Sequence, residues 1–320
     1  MTAIAVTPLD TSFANAPVDH VWRRVLRSGR VLVGGGFVAI LLLVCALYLP
    51  ATLRDSSPLY YNRQSETIVR HEPSLASQSL LFGADELGNS LFSRCLLGGV
   101  ISLAIGVAAA TISVVLGVAV GLIAGYRGGW IDGLLMRTVD VLYGLPYILL
   151  VILFKIALEP SLVTLLHSPA AGNLVVLFLA IGLVSWLTMA RVIRGQVLLL
   201  RSLPFIEAAR AAGVTERGIF TRHLLPNLIG PIMVYATLTV PQAILQESFL
   251  SFLGVGIQPP LPTWGSLASA GLMPALNPLH SLWWLLLFPC TLLALTLLSL
   301  NFLGDGLRDV FDPQRDAAKI

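Results

Sequence analysis

Charge is what this sequence has least of. Asp, Glu, Lys and Arg make up 12% of its 320 residues, about half the roughly 25% that a water-soluble domain carries. So few charges cannot coat a surface that faces water on all sides. Lysine is nearly missing, with only Lys155 in LFKIA and Lys319 in AKI. A phosphate-binding P-loop needs a lysine followed by Ser or Thr after a glycine-rich turn; neither lysine stands in that setting, so no such nucleotide site is expected. The three cysteines, Cys45, Cys95 and Cys290, share no metal-ligand or redox spacing and lie in or beside apolar runs, where they act as small hydrophobes. The five histidines, His20, His71, His167, His223 and His280, are scattered, and neither HExxH nor GxSxG occurs. No metal site and no catalytic residue is therefore expected. A net charge of +3 gives no footprint for nucleic acid.

What the chain has is apolar length. Hydrophobic residues are 56% of it and its mean hydropathy is +0.84. They come in continuous blocks and do not alternate, which favours helices over a barrel. With about 20 apolar residues per bilayer crossing as the ruler, six spans are expected: Val31 to Leu49 closed by Pro50, one within Leu96 to Tyr126, Leu134 to Leu158, Leu174 to Ala190, Leu228 to Leu250, and Trp283 to Leu303. The expected organisation is a tail over 1–30, a first span over 31–49, an extracytoplasmic segment over 50–95, a membrane core over 96–304 and a second tail over 305–320. A Pro/Gly-rich loop, Gly254 to His280, precedes the last span. The first run follows some thirty residues (roughly) and has no cleavage pattern after it, so it reads as an uncleaved anchor. Gly117 and Gly121 form GxxxG, and Ala104, Gly106 and Ala108 share the block; small residues let helices approach closely in lipid.

Basic residues set the orientation. With the N-terminus in the cytoplasm, the inside segments hold Arg23, Arg24, Arg27, Arg30, Arg127, Arg137, Arg191, Arg194, Arg201, Arg210, Arg217, Arg222, Arg308, Arg315 and Lys319. Those are fifteen of the twenty basic residues, and both termini are placed inside.

The segment Arg191 to Asn227 is too patterned for a simple turn. Pro204 can open a short helix, Phe205 to Ala212 favours helix, and Gly213 is a natural stop. Thr215 can cap a second helix through about Leu225, ending near Pro226. Two short helices joined at a glycine would make a cytoplasmic knob for another protein. An amphipathic loop resting on headgroups accounts for the arginines equally well.

Charges within spans are costly, at least ~2.5 kcal/mol at the bilayer centre. Arg137 and Asp140, three apart on one helix face, can pair; Asp140 lining a pathway is the other reading. Glu247, in QESFLSFLG, is either a gate or solute contact or a structural hydrogen-bond partner. Lys155 is expected to snorkel to the outer boundary. Pro146, Pro231, Pro241 and Pro289 are expected to kink spans, and Trp264, Trp283 and Trp284 to be interfacial anchors.

The loop over 201–227 resembles the EAA loop of bacterial ABC-importer permeases: Glu207-Ala208-Ala209, then Gly213, then Leu225-Pro226. His223 replaces the usual Ile. The likeness extends from about Phe82 to Pro313, through FGADELG, GGWIDGLLMRTVDVL, RHLLPN, LSFLGVGIQPPLPTWG and LGDGLRDVFDP. Together these resemble the C-type permease subunit of dipeptide/oligopeptide ABC importers. Asn89-Ser90 departs from the more usual Arg-Asp, and Glu159 to Asn173 reads as a longer loop; both bear on the binding-protein contact and the solute. The resemblance implies an all-α type I importer permease with six transmembrane helices in the bacterial cytoplasmic membrane. It implies a homologous second permease, two cytoplasmic ABC ATPases that carry the ATP and Mg, and an extracytoplasmic solute-binding protein, with no cofactor on this chain. Glu207, Ala208, Ala209, Gly213, Leu225 and Pro226 would couple it to the ATPases. The solute, a peptide or another small molecule such as nickel, is not set by the sequence. The competing class, an ion-gradient carrier, needs inverted repeats and paired carboxylates at broken helices, for which Asp140 and Glu247 are too few. An intramembrane enzyme would need a nucleophile–base pair that the sequence lacks.

Overall fold

The structure, a computed structural model, describes residues 25–311. The outer parts of the two expected tails, with Arg23, Arg24, Arg315 and Lys319, lie outside the described residues. Among the described residues the α-helices follow one another as α1 Gly29–Leu53, α2 Leu91–Arg127, α3 Gly129–Tyr143, α4 Tyr147–Leu166, α5 Pro169–Arg201, α6 Pro204–Ala211, α7 Glu216–Ile219, α8 Leu225–Phe252, α9 Trp264–Ala275 and α10 Trp284–Phe311. Among the described residues there is no strand, only an isolated bridge between Ala84 and Ser90. Six helical stretches among the described residues are long and apolar enough to cross a membrane. Large apolar side chains stand exposed along them, Leu43, Val115, Ile156 and Leu298 among others. A water-soluble domain rarely leaves so much contiguous apolar surface bare; lipid is the solvent that suits it. The chain is an all-α, multi-pass membrane protein.

Glycine decides how the bundle closes. α2 packs chiefly along α5, and the contact is a ladder of Gly117, Gly121 and Gly125. A Cβ on Gly121 would lie 2.6 Å from the Ala190 carbonyl oxygen, and one on Gly117 would lie 2.5 Å from Met189 Cβ. Gly182 of α5 answers from the other side, against Ile112. The expected GxxxG contact therefore forms with one more step than the sequence reading gave it, whereas Ala104 faces outward. α8 packs along α2 and α10, and α1 lies peripherally on α10 and α2.

Several boundaries differ from expectation. Pro50 does not close the first span; α1 runs on to Leu53. The third span is two helices, α3 and α4, broken at Gly144-Leu145-Pro146, with Pro146 at the N-cap of α4 and not inside it. A proline removes a backbone donor and pushes its predecessor out of the helical region. The stretch read as a loop from Glu159 is helical to Leu166, and α5 restarts at Pro169. Within the Pro/Gly-rich loop, α9 is built on a capping box, Thr263 with Ser266, a pairing that stabilises a helix start. Pro226 does not stop the second loop helix. α7 passes through a π-turn at Phe220–Leu224 into α8, so 216–252 is one helical path of 37 residues. Where Pro226 has no N–H to give, the wider turn lets Leu225 N–H bond the Phe220 carbonyl.

Asn89 and Ser90 prove internal. Asn89 Nδ2 bonds both Asp85 oxygens at 3.2 and 2.9 Å, and Arg94 reaches Asp85 at 2.7 Å. Ser90 caps α2 through the Ser93 N–H and donates to the Ser79 carbonyl at 2.6 Å.

Candidate functional site

Two features stand out, a knob on the loop over 201–227, whose second helix continues into α8, and a cavity along α8. The knob begins at α6, where Leu203 is extended and Pro204 occupies the first turn. Ile206 points inward and is fully buried with Ile219 and Leu224, while Glu207 and Ala208 are exposed and Ala209 half-buried. α6 ends with Val214 N–H bonding the Ala209 carbonyl at 3.0 Å and Gly213 N–H bonding that of Arg210 at 2.9 Å. This is the paired closure of a Schellman motif. Its turning residue, Gly213, has φ +80° with open space around it, so backbone conformation and not crowding calls for glycine there. Thr215 caps α7 by accepting from Gly218 N–H at 3.3 Å. Leu225 and Pro226 are exposed on the same path.

A clamp that sequence reasoning missed holds the knob to the end of α2. Tyr126 donates its hydroxyl to the Glu216 carboxylate, and Arg210 Nε reaches the same carboxylate at 3.2 Å. Arg201 Nη1 donates to the carbonyls of Gly125 and Tyr126, both at 2.8 Å, stopping the C-terminus of α2, where carbonyls lack helical partners. Two further ties hold α3 to α5: Arg194 to Asp132, and Arg191 to Asp140 at 2.7 Å. Asp140 thus does not pair with Arg137, as its spacing suggested; a partner on another helix wins, and the Arg191 guanidinium also lies 4.0 Å over the Tyr143 ring.

The cavity, about 500 Å³, lies between the α3–α4 break, α5 and α8. Its polar lining is Tyr143 and Tyr147, Ser185 and Thr188, and Tyr235, Thr239, Gln242 and Gln246. It carries no charged side chain. Neither expected pathway carboxylate lines it. Asp140 is largely exposed on α3, and Glu247 is fully buried on another face of α8. Glu247 accepts from Ser251 at 2.7 Å and from Ser102 and Ser248 at 3.5 Å, hydrogen bonds of the kind its structural reading expects. The lining was legible all the same: Tyr235, Thr239, Gln242 and Gln246 recur at helical spacing, a polar stripe on an apolar span.

Lys155 does not snorkel. It is buried, and its Nζ donates to the carbonyls of Val255 at 2.6 Å and Gly256 at 3.2 Å, which lie just past the end of α8 and outside its hydrogen-bond ladder. Nor are two of the three tryptophans interfacial. Trp264 and Trp284 are buried and donate to the carbonyls of Cys95 and Ala84, a use suited to a ring with one polar tip. Trp283 is half exposed. Among the described residues no cluster of His, Cys, Asp and Glu could hold a metal ion.

Residues 117–316 match the family described as binding-protein-dependent transport system inner membrane component. The chain is 42% identical over 296 residues to the dipeptide transport system permease protein DppC of Bacillus subtilis (strain 168), covering 92% of this chain and 85% of that one. It is also 42% identical over 292 residues to the oligopeptide transport system permease protein OppC of Escherichia coli (strain K12), covering 91% and 90%. The glutathione transport system permease protein GsiD of Pectobacterium atrosepticum is 36% identical over 298 residues, 93% of this chain and 91% of that one. In fold, the chain matches an inward-facing conformation of the MetNI methionine ABC transporter with a TM-score of 0.53 at 19% identity, over 67% of this chain and 94% of that one. None of these likenesses points to an ion-gradient carrier.

Proposed function

This chain belongs to the family of binding-protein-dependent transport system inner membrane components, the permeases of ABC importers, and we propose that it forms one half of a pathway for short peptides driven by ATPases on other polypeptides. Two cytoplasmic ABC ATPases, which would carry the ATP and Mg, act on the knob. A homologous permease completes the pathway, and an extracytoplasmic binding protein delivers the solute. The chain would lie in a bacterial cytoplasmic membrane with both termini inside, the side on which its arginines concentrate.

One observation carries this reading. The knob's outer face is bare while its inner face is buried and clamped, and its second helix, α7, runs without a break into the helix that lines the cavity. Glu207 offers an exposed carboxylate and Ala208 a small side chain that permits close approach, on a buried base to which a motor protein can apply force. Gly213, Leu225 and Pro226 shape and flank that surface. The neutral cavity suits peptides, whose amides need hydrogen-bonding partners of either polarity while their side chains vary in charge. The relatives' names, dipeptide, oligopeptide and glutathione, support a peptide solute.

The test is uptake of labelled di- and oligopeptides by cells producing the whole transporter. Glu207→Lys and Gly213→Pro should each abolish uptake while the permease stays inserted at normal levels. A Glu207→Cys variant should react with a membrane-impermeant maleimide only from the cytoplasmic side. Normal uptake by either variant, or labelling from the exterior, overturns the coupling assignment. Loss of the ATPases on co-purification would do the same for the partnership.

A further inference from the structure

We propose that the hydrogen bond between Tyr147 and Gln246 is the latch that shuts the cavity at its end remote from the knob. The inference rests on the reading of the cavity as this subunit's share of the pathway, and it assigns the closing contact to two named side chains.

Tyr147 is the first residue of α4, immediately after the Gly144-Leu145-Pro146 break. Its hydroxyl donates to Gln246 Oε1 on α8 at 2.5 Å, from a residue 99 positions away. Among the described residues this is the one side-chain hydrogen bond between α4 and α8. The two helices otherwise belong to different packing partnerships, α4 with α5 and α8 with α2 and α10, and the space between them is the cavity. On α8 the lining begins at Tyr235 and its last member is Gln246, about 16 Å further along the helix. Past Gln246 the way is filled. Val151, Leu250 and Ile257 belong to one buried apolar cluster, and Lys155 pins the Val255–Gly256 turn behind them.

The two ends of the hydrogen bond are held very differently. Gln246 precedes Glu247, whose carboxylate is bound to Ser251 and reaches Ser102 of α2, so its backbone is part of the frame. Tyr147 opens α4 just after a helix break, beside Ser185 of α5, where a change of angle between α3 and α4 carries the ring with it. Breaks of this kind absorb the dihedral changes in hinged transitions. A neutral hydrogen bond suits a latch. Its net worth is modest, between about two- and tenfold in a population, so it biases the shut state without locking it. When it opens, it turns a hydroxyl and an amide toward the cavity, where groups of a passing solute can take the place of the lost partner.

The experiment uses the assembled transporter in right-side-out vesicles with a Thr239→Cys reporter in the cavity wall and Cys290→Ser to lower background. A membrane-impermeant maleimide is the probe, added outside or trapped inside. The latch predicts slow labelling from outside in the reporter alone. Tyr147→Phe, Gln246→Met and their combination should each label about fivefold faster. The double variant should be no faster than the faster single one, because both substitutions remove the same bond. Inside labelling should stay unchanged. Equal outside rates in all variants, or a double effect equal to the product of the single ones, would overturn the latch while leaving the pathway reading standing. No labelling from either side in any variant would overturn the pathway reading, and the latch with it. Should Tyr147→Phe fail to accumulate, Gln246→Met alone decides by the same outside rate.

Discussion

Arg194 grips Asp132 with two parallel hydrogen bonds, Nε to Oδ1 at 2.5 Å and Nη2 to Oδ2 at 2.6 Å. This fork joins α3 to α5 on the half of α3 that leads from the knob side toward the helix break. The neighbouring pair, Arg191 with Asp140, has a single contact and an aspartate side chain 66% exposed, against 15% for Asp132.

The difference sets an order of sensitivity. Bidentate, charge-assisted pairs that are largely shielded are the strong ones, and exposed pairs contribute little. Asp132→Ala should cost on the order of 2 kcal/mol and lower the melting temperature of the detergent-solubilised protein by several degrees. Asp140→Ala should cost well under half of that. Equal effects would show that exposure does not rank the two ties.

Glycine ladders give a prediction of opposite sign at two positions. Gly121→Leu drives a side chain into the α5 backbone, where even a Cβ would stand 2.6 Å from the Ala190 oxygen and 2.8 Å from Ile193 Cβ. Overpacking of this kind costs about 1–3 kcal/mol or more, and the yield of folded protein should fall sharply. Gly36→Ala, on the peripheral α1 with nothing within 4 Å, should be neutral or slightly stabilising, since alanine is the better helix former. Fluorescence-detected size-exclusion chromatography of both variants separates the outcomes. A monodisperse, abundant Gly121→Leu protein would mean that α2 and α5 do not meet there.

Glu247 is surrounded by hydroxyl groups and lies off the cavity, so its substitutions should report on folding and not on solute. Glu247→Gln keeps an acceptor for Ser251 and should retain normal assembly and an unchanged KM for peptide uptake. Glu247→Leu strands the Ser102 and Ser251 hydroxyls and should lower stability by about 1–3 kcal/mol. A raised KM in the Gln variant at normal protein levels would place Glu247 in contact with solute after all.

Lys155→Met leaves the Val255 carbonyl without its donor and the Gly256 carbonyl with Gln258 Nε2 alone at 3.3 Å. The expected result is faster proteolytic cleavage within 254–263, with the other loops cut at their usual rate. Unchanged cleavage there would remove the capping role.

Most of the architecture was readable because the bilayer imposes a length on apolar runs, and a run of twenty such residues has few other uses. The short loop helices were readable from Pro204, Gly213 and Thr215, whose local chemistry acts within a few positions. What escaped was whatever depends on a distant partner. For Asp140, spacing offers Arg137 three residues away beside the pathway reading, because sequence spacing reveals only same-helix pairs; the fold pairs it with Arg191 instead. Lys155 reads as an interface residue because nothing local shows the carbonyl 100 positions on. Pro226 read as a stop because a π-turn, which accommodates a missing donor, leaves no compositional trace. Pathway residues were sought among charges, whereas the cavity is lined by amides and hydroxyls at helical spacing.

The continuous path from Glu216 to Phe252 makes register, as well as position, a quantity the knob controls. Along its roughly 55 Å every residue is phased to the one before it by about 100°, with no loop between to absorb a turn. The extra residue at Phe220–Leu224 is therefore an angular setting. Excising one residue there would leave the span inserted and its caps intact, yet wheel Tyr235, Thr239, Gln242 and Gln246 away from the void and swing a greasy flank into it.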